Sequence, residues 1–205
     1  MEYQFLKKAI ENKGYVFFDN GSFNLNFIWV RNDLRATNHF TDDLHIAYKA
    51  NGIEYVLSVK CTTKPGLKKS LYNPNTVEGV TGTAIVKCNQ YRGAWKFIDS
   101  YEDFSKYPFF RQIKNIDYYR DGNRDNEIDL VQEQDNKLFG THGHKMSNVG
   151  DKRKVEEFEV NNFSQGCMGA PVSEWDKVVE LTRKAIISGQ GTVFTFTIVD
   201  AVDLQ

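Results

Sequence analysis

The residue types needed for nucleophilic catalysis lie in two stretches of the chain. The first contains His142 and His144, and the second is Ser164-Gln165-Gly166-Cys167. A cysteine attacks a carbonyl as its thiolate, so it needs an imidazole to take its proton and amide donors to receive the oxyanion. Gly166 allows a tight turn that directs nearby amides at a bound carbonyl. Together the two stretches predict a Cys-His acyl-transfer site.

Other interpretations of these residues stay open. A cysteine in an apolar stretch is more often a small buried residue, which is our interpretation of Cys61 and Cys88 and the alternative for Cys167. His142 and His144 are two residues apart, so on a strand they would face the same side and could hold zinc. A zinc peptidase needs a further histidine and a carboxylate upstream, and neither His39 nor His45 has an aspartate seven residues on. We therefore predict no metal at this pair.

The rest of the sequence predicts the elements that position these residues. Residues 1–14 form an amphipathic helix pattern ending at Gly14, and 15–120 are short runs of β-branched and aromatic residues separated by turn formers. After the loop and motifs of 121–172, Ser173 and Asp176 predict the N-terminus of a helix that ends near Gly189, and a final strand follows over 192–199. The predicted fold is mainly β with flanking helices, of the α+β class, in one domain spanning 1–205.

Composition excludes several classes of protein. The 205 residues carry 26 Lys+Arg against 27 Asp+Glu, a net charge of −1, so no basic excess points to nucleic acid. Three cysteines without paired spacing indicate neither a disulfide framework nor a zinc ribbon. Charged residues in Met1–Lys8 and the lack of an apolar run of about 18 residues predict no signal peptide and no membrane span, hence synthesis in the cytoplasm.

The order of a histidine and then Ser-x-Gly-Cys resembles the L,D-transpeptidase catalytic domain, often called YkuD-like. The likeness is greatest to a divergent branch of Bacteroidetes and their phages, and it covers about Asn20 to Phe196. The segments that carry it, besides the two stretches above, are Thr63-Lys64-Pro65-Gly66, Gly82-Thr83-Ala84-Ile85, Gln90-Tyr91-Arg92-Gly93 and Tyr119 to Asp125.

This resemblance implies a role for each residue of the motif. Cys167 would be the nucleophile and His144, rather than His142, the general base, oriented through a backbone carbonyl as is usual in the family. Ser164 would brace the turn, and the amides of Gly166 and Cys167 would receive the oxyanion.

The substrate side of the site departs from the family pattern. Gln165 stands where the family commonly has a histidine, and Gly169 where it often has an arginine or asparagine that would hold a carboxylate. We assign His142 and Gln165 to substrate binding. Tyr91 and Arg92 are candidates for a wall of the cleft, since aromatic and guanidinium groups suit glycan faces and carboxylates. Core packing explains Tyr91 equally well.

The reaction implied is acyl transfer on peptidoglycan stem peptides through a thioester, with no required cofactor. An amine acceptor would give a cross-link and water would give cleavage. Two alternatives are a phage cell-wall peptidase or endolysin using the same Cys-His site, carried in the virion or released at lysis, and a non-catalytic virion or cell-wall-binding component.

A second motif lies in the polar stretch after Tyr119. Asp121, Asn123, Asp125 and Asp129 have the oxygen spacing that begins a calcium loop, similar to a dockerin-type loop. Position 6 of that loop is Asn126 instead of glycine, and position 12 is Gln132, which cannot provide a bidentate carboxylate. We therefore favour a solvated Asp/Asn turn, with calcium as the alternative.

Overall fold

The computed structural model describes residues 1–32, 38–66, 83–100, 107–121, 132–147, 159–161 and 163–205. These ranges contain two α-helices, a short 3-10 helix and strands of two sheets. The helices are α1 (Tyr3–Asn12), α2 (Val172–Ile187) and the 3-10 helix Ala201–Leu204. The strands are β1 (Asn26–Arg31), β2 (Asp42–Ala50), β3 (Ile53–Cys61), β4 (Thr83–Val86), β5 (Asn89–Ile98), β6 (Phe109–Gln112), β7 (Ile116–Asp121), β8 (Gln132–Lys137), β9 (Gly143–Lys145), β10 (Met168–Ala170) and β11 (Val193–Asp200).

Helix α1 covers the outer face of the larger sheet. Its buried residues Tyr3, Leu6 and Ile10 recur at helical spacing and therefore share one side. The helix ends where the prediction put it, because Gly14 adopts a φ of 76° directly after the C-cap. The N-terminal helix expected from the sequence is confirmed.

The larger sheet has eight strands in the order β10-β9-β6-β5-β11-β1-β2-β3. Strand β11 is last in the chain but lies at its centre, parallel to β1 and antiparallel to β5. Every residue of β1 is buried, since Phe27 and Trp29 face the main core and Ile28 and Val30 face α1. Burial on both faces explains why this segment is continuously apolar.

The two end strands of this sheet nearly meet. Thr62, which directly follows β3, exchanges two backbone hydrogen bonds with Gly169 of β10, at 2.7 and 3.0 Å. The sheet is therefore almost closed on itself, as in a barrel. The Cys167 segment enters the structure at this closure.

An aromatic core fills the inside of the sheet. The Trp95 and Phe196 rings stack with centroids 4.4 Å apart, and Phe27 and Phe110 pack against Phe196. Trp175 of α2 reaches this core, and its indole N–H donates to the carbonyl of Pro108 at 3.0 Å. Helix α2 is thereby held beside β3, β9 and β10, the strands around the closure.

The start of α2 differs from the prediction. The helix begins at Val172, and Pro171 occupies the N-cap in place of Ser173. The first helical bond runs from Trp175 N to Pro171 O at 2.8 Å, so Ser173 is already inside the first turn. Proline disfavours the helical conformation in the residue before it, so Ala170 stays in β10 and the helix cannot begin earlier. Burial of Val172 adds a reason to begin directly after Pro171.

The remaining strands form a second sheet in the order β4-β7-β8. The described residues form two α-helices and two sheets, so the chain is mainly β with helices, which confirms the predicted α+β class at that level. The predicted strand runs at 27–30, 54–59, 83–86, 95–98 and 192–199 all fall within or overlap described strands. The single domain and the L,D-transpeptidase-like topology stay predictions.

Candidate active site

The pairing of β9 with β10 brings the two chemistry-bearing stretches together. These strands run parallel with Gly143 opposite Met168 and His144 opposite Gly169. A bond from Met168 N to His142 O, at 2.9 Å, continues the pairing toward Cys167. Cys167 therefore lies at the end of β10 beside the histidine stretch.

The sulfur of Cys167 accepts a hydrogen bond from the backbone N–H of His142, at an N to Sγ distance of 3.4 Å. Burial raises the pKa of this thiol to about 11, and the hydrogen bond from His142 opposes that rise. Near neutral pH the group is thus a thiol, and its attack on a carbonyl needs a base.

His144 has the tautomer that a general base requires. Its Nδ1 lies 2.6 Å from the carbonyl oxygen of Lys145, which can only accept, so Nδ1 carries the proton. In the neutral ring the lone pair is then on Nε2. Burial lowers the pKa of His144, which the bond to the Lys145 carbonyl partly offsets, so the ring is neutral at pH 7.

His142 has the opposite tautomer. Its Nδ1 accepts a hydrogen bond from the backbone N–H of Gln112 at 3.3 Å, so the neutral ring carries its proton on Nε2. The ring also packs against Phe109, with centroids 5.4 Å apart. His142 is therefore a hydrogen-bond donor through Nε2, while His144 is an acceptor there.

The turn before Cys167 is closed by the hydroxyl of Ser164. This fully buried group donates to the carbonyl of Cys167 at 2.7 Å and accepts from the N–H of Gly166 at 3.1 Å. The Gly166 amide, expected to face an oxyanion, is thus already used within the turn. Among the described residues nothing accepts from the Cys167 N–H, which is the amide left to receive an oxyanion.

Glycine is required at two positions of this segment. Gly166 has a φ of 117°, and a Cβ there would lie 2.4 Å from the carbonyl oxygen of Ala84. At Gly169 a Cβ would lie 2.0 Å from the carbonyl oxygen of His144. The arginine or asparagine expected from the family pattern at position 169 is therefore excluded by the close approach of β9.

Residues 62–66 contact the Ser164–Gly169 segment on the side opposite to β9. Besides the bridge from Thr62 to Gly169, the N–H of Gly66 donates to Ser164 O at 3.1 Å. A Cβ at Gly66 would lie 1.9 Å from the carbonyl oxygen of Asn161, so this contact also depends on glycine. Family resemblance alone had singled out this segment.

The expected cleft wall at Tyr91 and Arg92 is not supported. Tyr91 is buried, its ring packs edge-on against Trp95, and its hydroxyl donates to carbonyls of Lys87 and Asp117 at 3.0 and 3.3 Å. Tyr91 is thus a core residue. Arg92 is exposed on β5, which is separated from β10 by β6 and β9, about 14 Å at the usual strand spacing.

The remaining predicted residues lie as follows. Gln165 is half-buried within the turn, and its role in substrate binding stays a prediction. Of the proposed calcium loop, the backbone of Asp121 ends β7, whereas Asn123, Asp125 and Asp129 lie outside the described residues.

In the described ranges no group of three His, Cys, Asp or Glu side chains is placed to hold a metal ion. Neither of the helices described is long and apolar enough to cross a membrane.

Sequence reasoning assigned no role to two buried polar groups near the site. Gln112 on β6 contacts the His142 segment, and Lys64 forms an ion pair with Asp42 beneath residues 62–66. The signal available for Gln112 is a polar residue two positions after Phe110, which places it on the same face of the strand as that apolar residue. For Lys64 it is a charge next to Pro65 at a strand end.

Comparison of the chain with protein-family models, with curated proteins and with solved structures gives no match. The function of the chain is therefore inferred from the geometry of the site and from the motif resemblance.

The thiol pKa gives a prediction for chemical reactivity. Alkylation of Cys167 by iodoacetamide should accelerate about tenfold per pH unit from about pH 7 to about pH 10, because the thiolate fraction grows until the pKa near 11. Peptide mass spectrometry separates this signal from Cys88, which should react more slowly because burial raises its pKa to about 12. A rate that is flat across neutral pH would mean a thiolate–imidazolium pair and contradict the neutral site.

Proposed function

We propose that this chain catalyses cysteine-dependent acyl transfer on peptidoglycan stem peptides, in the manner of an L,D-transpeptidase. The observation that carries the proposal is the parallel pairing that sets Cys167 beside a histidine stretch whose His144 has Nε2 available as a base. The motif resemblance supplies the substrate class, a carbonyl adjoining a D-amino acid.

The reaction then has two steps. His144 Nε2 takes the proton of the Cys167 thiol while the sulfur attacks the carbonyl carbon, and the oxyanion faces the Cys167 N–H. Collapse expels the leaving amine, which takes the proton from His144, and leaves a thioester. An amine or water then attacks the thioester and gives its proton to His144, and the departing sulfur regains a proton.

The acceptor decides the outcome. With an amine the product is a joined or exchanged stem peptide, and with water it is a shortened one. A cell-wall peptidase would use the same residues and differ only in this second step, so product masses separate the two activities.

The test is incubation of the full chain with purified disaccharide-tetrapeptides, with products and acyl-enzyme read by mass spectrometry. We expect a thioester adduct on Cys167 and turnover that Cys167→Ala reduces below detection, because no other nucleophile replaces the sulfur. Cys88→Ala is the matched control, since Cys88 is also a half-buried free cysteine and should be dispensable.

Two results would contradict the proposal. One is undiminished turnover by Cys167→Ala. The other is a folded wild-type chain that neither forms an adduct nor alters the stem peptide, which would favour the non-catalytic wall-binding component.

A further inference from the structure

The side chain of Gln112 is buried and every hydrogen-bonding position of its amide is used. Its exposed fraction is 4%. Its Oε1 accepts from the N–H groups of Gly140 and Thr141, both at 2.9 Å. Its Nε2 donates to the carbonyl of Lys114 at 2.7 Å and to the hydroxyl of Tyr118 at 3.2 Å. A saturated amide of this kind fixes the backbone it contacts.

Gln112 also contacts the next residue of the same segment. Its backbone N–H donates to His142 Nδ1, and the N–H of His142 in turn donates to Cys167 Sγ. Gln112 thus holds Gly140 and Thr141 through their amides and His142 through its ring. His142 is also the residue whose amide donates to the sulfur of Cys167.

Two further hydrogen bonds with core residues hold this segment. Trp95 Nε1 donates to Thr141 O at 2.9 Å, and the N–H of Phe139 donates to the Tyr118 hydroxyl at 2.8 Å. Because the Tyr118 hydroxyl also accepts from Gln112, one connected network spans β5, β6 and β7. The position of the His142 amide is therefore determined from within the core.

We propose that Gln112 is a positioning residue for the cysteine site, holding His142 so that its amide faces the sulfur and its ring is a donor through Nε2. This inference rests on the proposed function only for its consequence in catalysis. The geometry itself applies to the free protein, so it can be tested without a substrate. Two consequences are accessible: the reactivity of the Cys167 thiol and the tautomer of His142.

Three charged or titratable side chains of the described residues lie on β6 and β9, next to this hydrogen-bond network. Lys145 lies with its ammonium 3.9 Å from the Tyr107 ring centroid, and the Arg111 guanidinium is 5.4 Å from that of Phe109. His144 is the other titratable ring on the same stretch. A change of the Gln112 side chain to methionine alters none of these three groups, so Gln112→Met tests the effect of the amide.

The first experiment is alkylation of Cys167 in Gln112→Met, which keeps the length of the side chain and removes the amide. A hydrogen bond to a thiolate stabilises the charged form, so displacing the His142 amide should raise the thiol pKa and slow alkylation at about pH 8 by roughly tenfold or more. Asn26→Leu is the matched control. Asn26 is another buried amide, bonded to Phe18 and Ala47, and its loss should leave the Cys167 rate unchanged.

The second experiment reads the His142 ring by ¹⁵N NMR of histidine-labelled protein, with the signal assigned from a His142→Asn sample. We expect the wild-type ring protonated on Nε2. In Gln112→Met the backbone N–H of residue 112 is unchanged, but residues 140 and 141 are no longer held by the amide, so His142 Nδ1 moves from that N–H and a mixture of tautomers is expected. Proton on Nδ1 in the wild type would overturn the inference even if the variant failed to fold. A folded Gln112→Met with the wild-type rate and tautomer would overturn it as well.

The outcomes for the two proposals are distinguishable. A chain with the expected thiol reactivity and tautomer but no action on stem peptides would contradict the proposed function and still support the positioning role of Gln112. Turnover of stem peptides by a chain whose His142 carries its proton on Nδ1 would support the proposed function and contradict the role of Gln112.

Discussion

Replacing Lys64 with methionine is expected to lower the free energy of unfolding by about 3–5 kcal/mol. Lys64 and Asp42 are both 0% exposed, and Nζ lies 3.2 Å from Oδ1 of Asp42. Asp42 also accepts from Asn32 N and from the amide and hydroxyl of Thr63, so its charge is held in a polar network. Removing the lysine leaves that carboxylate buried without its ion-pair partner, which is the origin of the large cost.

Urea unfolding followed by tryptophan fluorescence measures this effect. Lys60→Met is the matched control, because Lys60 pairs with Asp43 at 2.7 Å but its side chain is 61% exposed, and such pairs are worth about 0–1 kcal/mol. Adding Asp42→Asn to Lys64→Met should restore part of the loss, since the buried charge is then removed. Equal, small costs for Lys64→Met and Lys60→Met would refute the interpretation.

The position of this ion pair connects stability with the site. Lys64 lies between Thr62, which bonds Gly169, and Gly66, which bonds Ser164. The pair therefore supports the wall against which the cysteine turn is built. We expect loss of Lys64 to destabilise the Ser164–Cys167 turn more than the packing of α1 on the outer face of the sheet.

Local elements were predictable because their signals are local. The helical spacing of Leu6 and Ile10 and the position of Gly14 define α1 without reference to any other segment. Runs such as 27–30 and 192–199 are apolar and β-branched enough to be strands wherever they lie. For the same reason the histidine and cysteine stretches could be singled out by residue type and order.

Long-range pairing could not be read in the same way. Nothing in the sequence indicates that the last strand, β11, lies between β5 and β1, or that Thr62 bonds Gly169, because these contacts join segments far apart in the chain. Tyr91 shows the same limit. An aromatic residue in a strand suits a cleft or a core equally, and only the sheet order and its bonded hydroxyl identify it as core.

Exchanging each histidine for asparagine is expected to separate their roles in acyl transfer. In His144→Asn the amide nitrogen takes the place of Nδ1 and can still donate to Lys145 O, while the Nε2 lone pair is lost. General-base catalysis contributes about 10²–10⁴-fold, so turnover should fall by that factor. In His142→Asn the amide oxygen can still accept from Gln112 N, and the loss of one neutral donor should cost about tenfold or less.

The pH dependence gives the same assignment a second test. Only the neutral form of His144 can accept the thiol proton, and burial lowers the pKa of this ring below its ordinary value of 6.5. The rate of thioester formation should therefore be fully developed above about pH 6.5 and decline as the pH falls through that lowered pKa. His144→Asn should lose this acid limb along with its rate, whereas His142→Asn should keep it. If the acid limb disappears with His142 instead, the base has been assigned to the wrong ring.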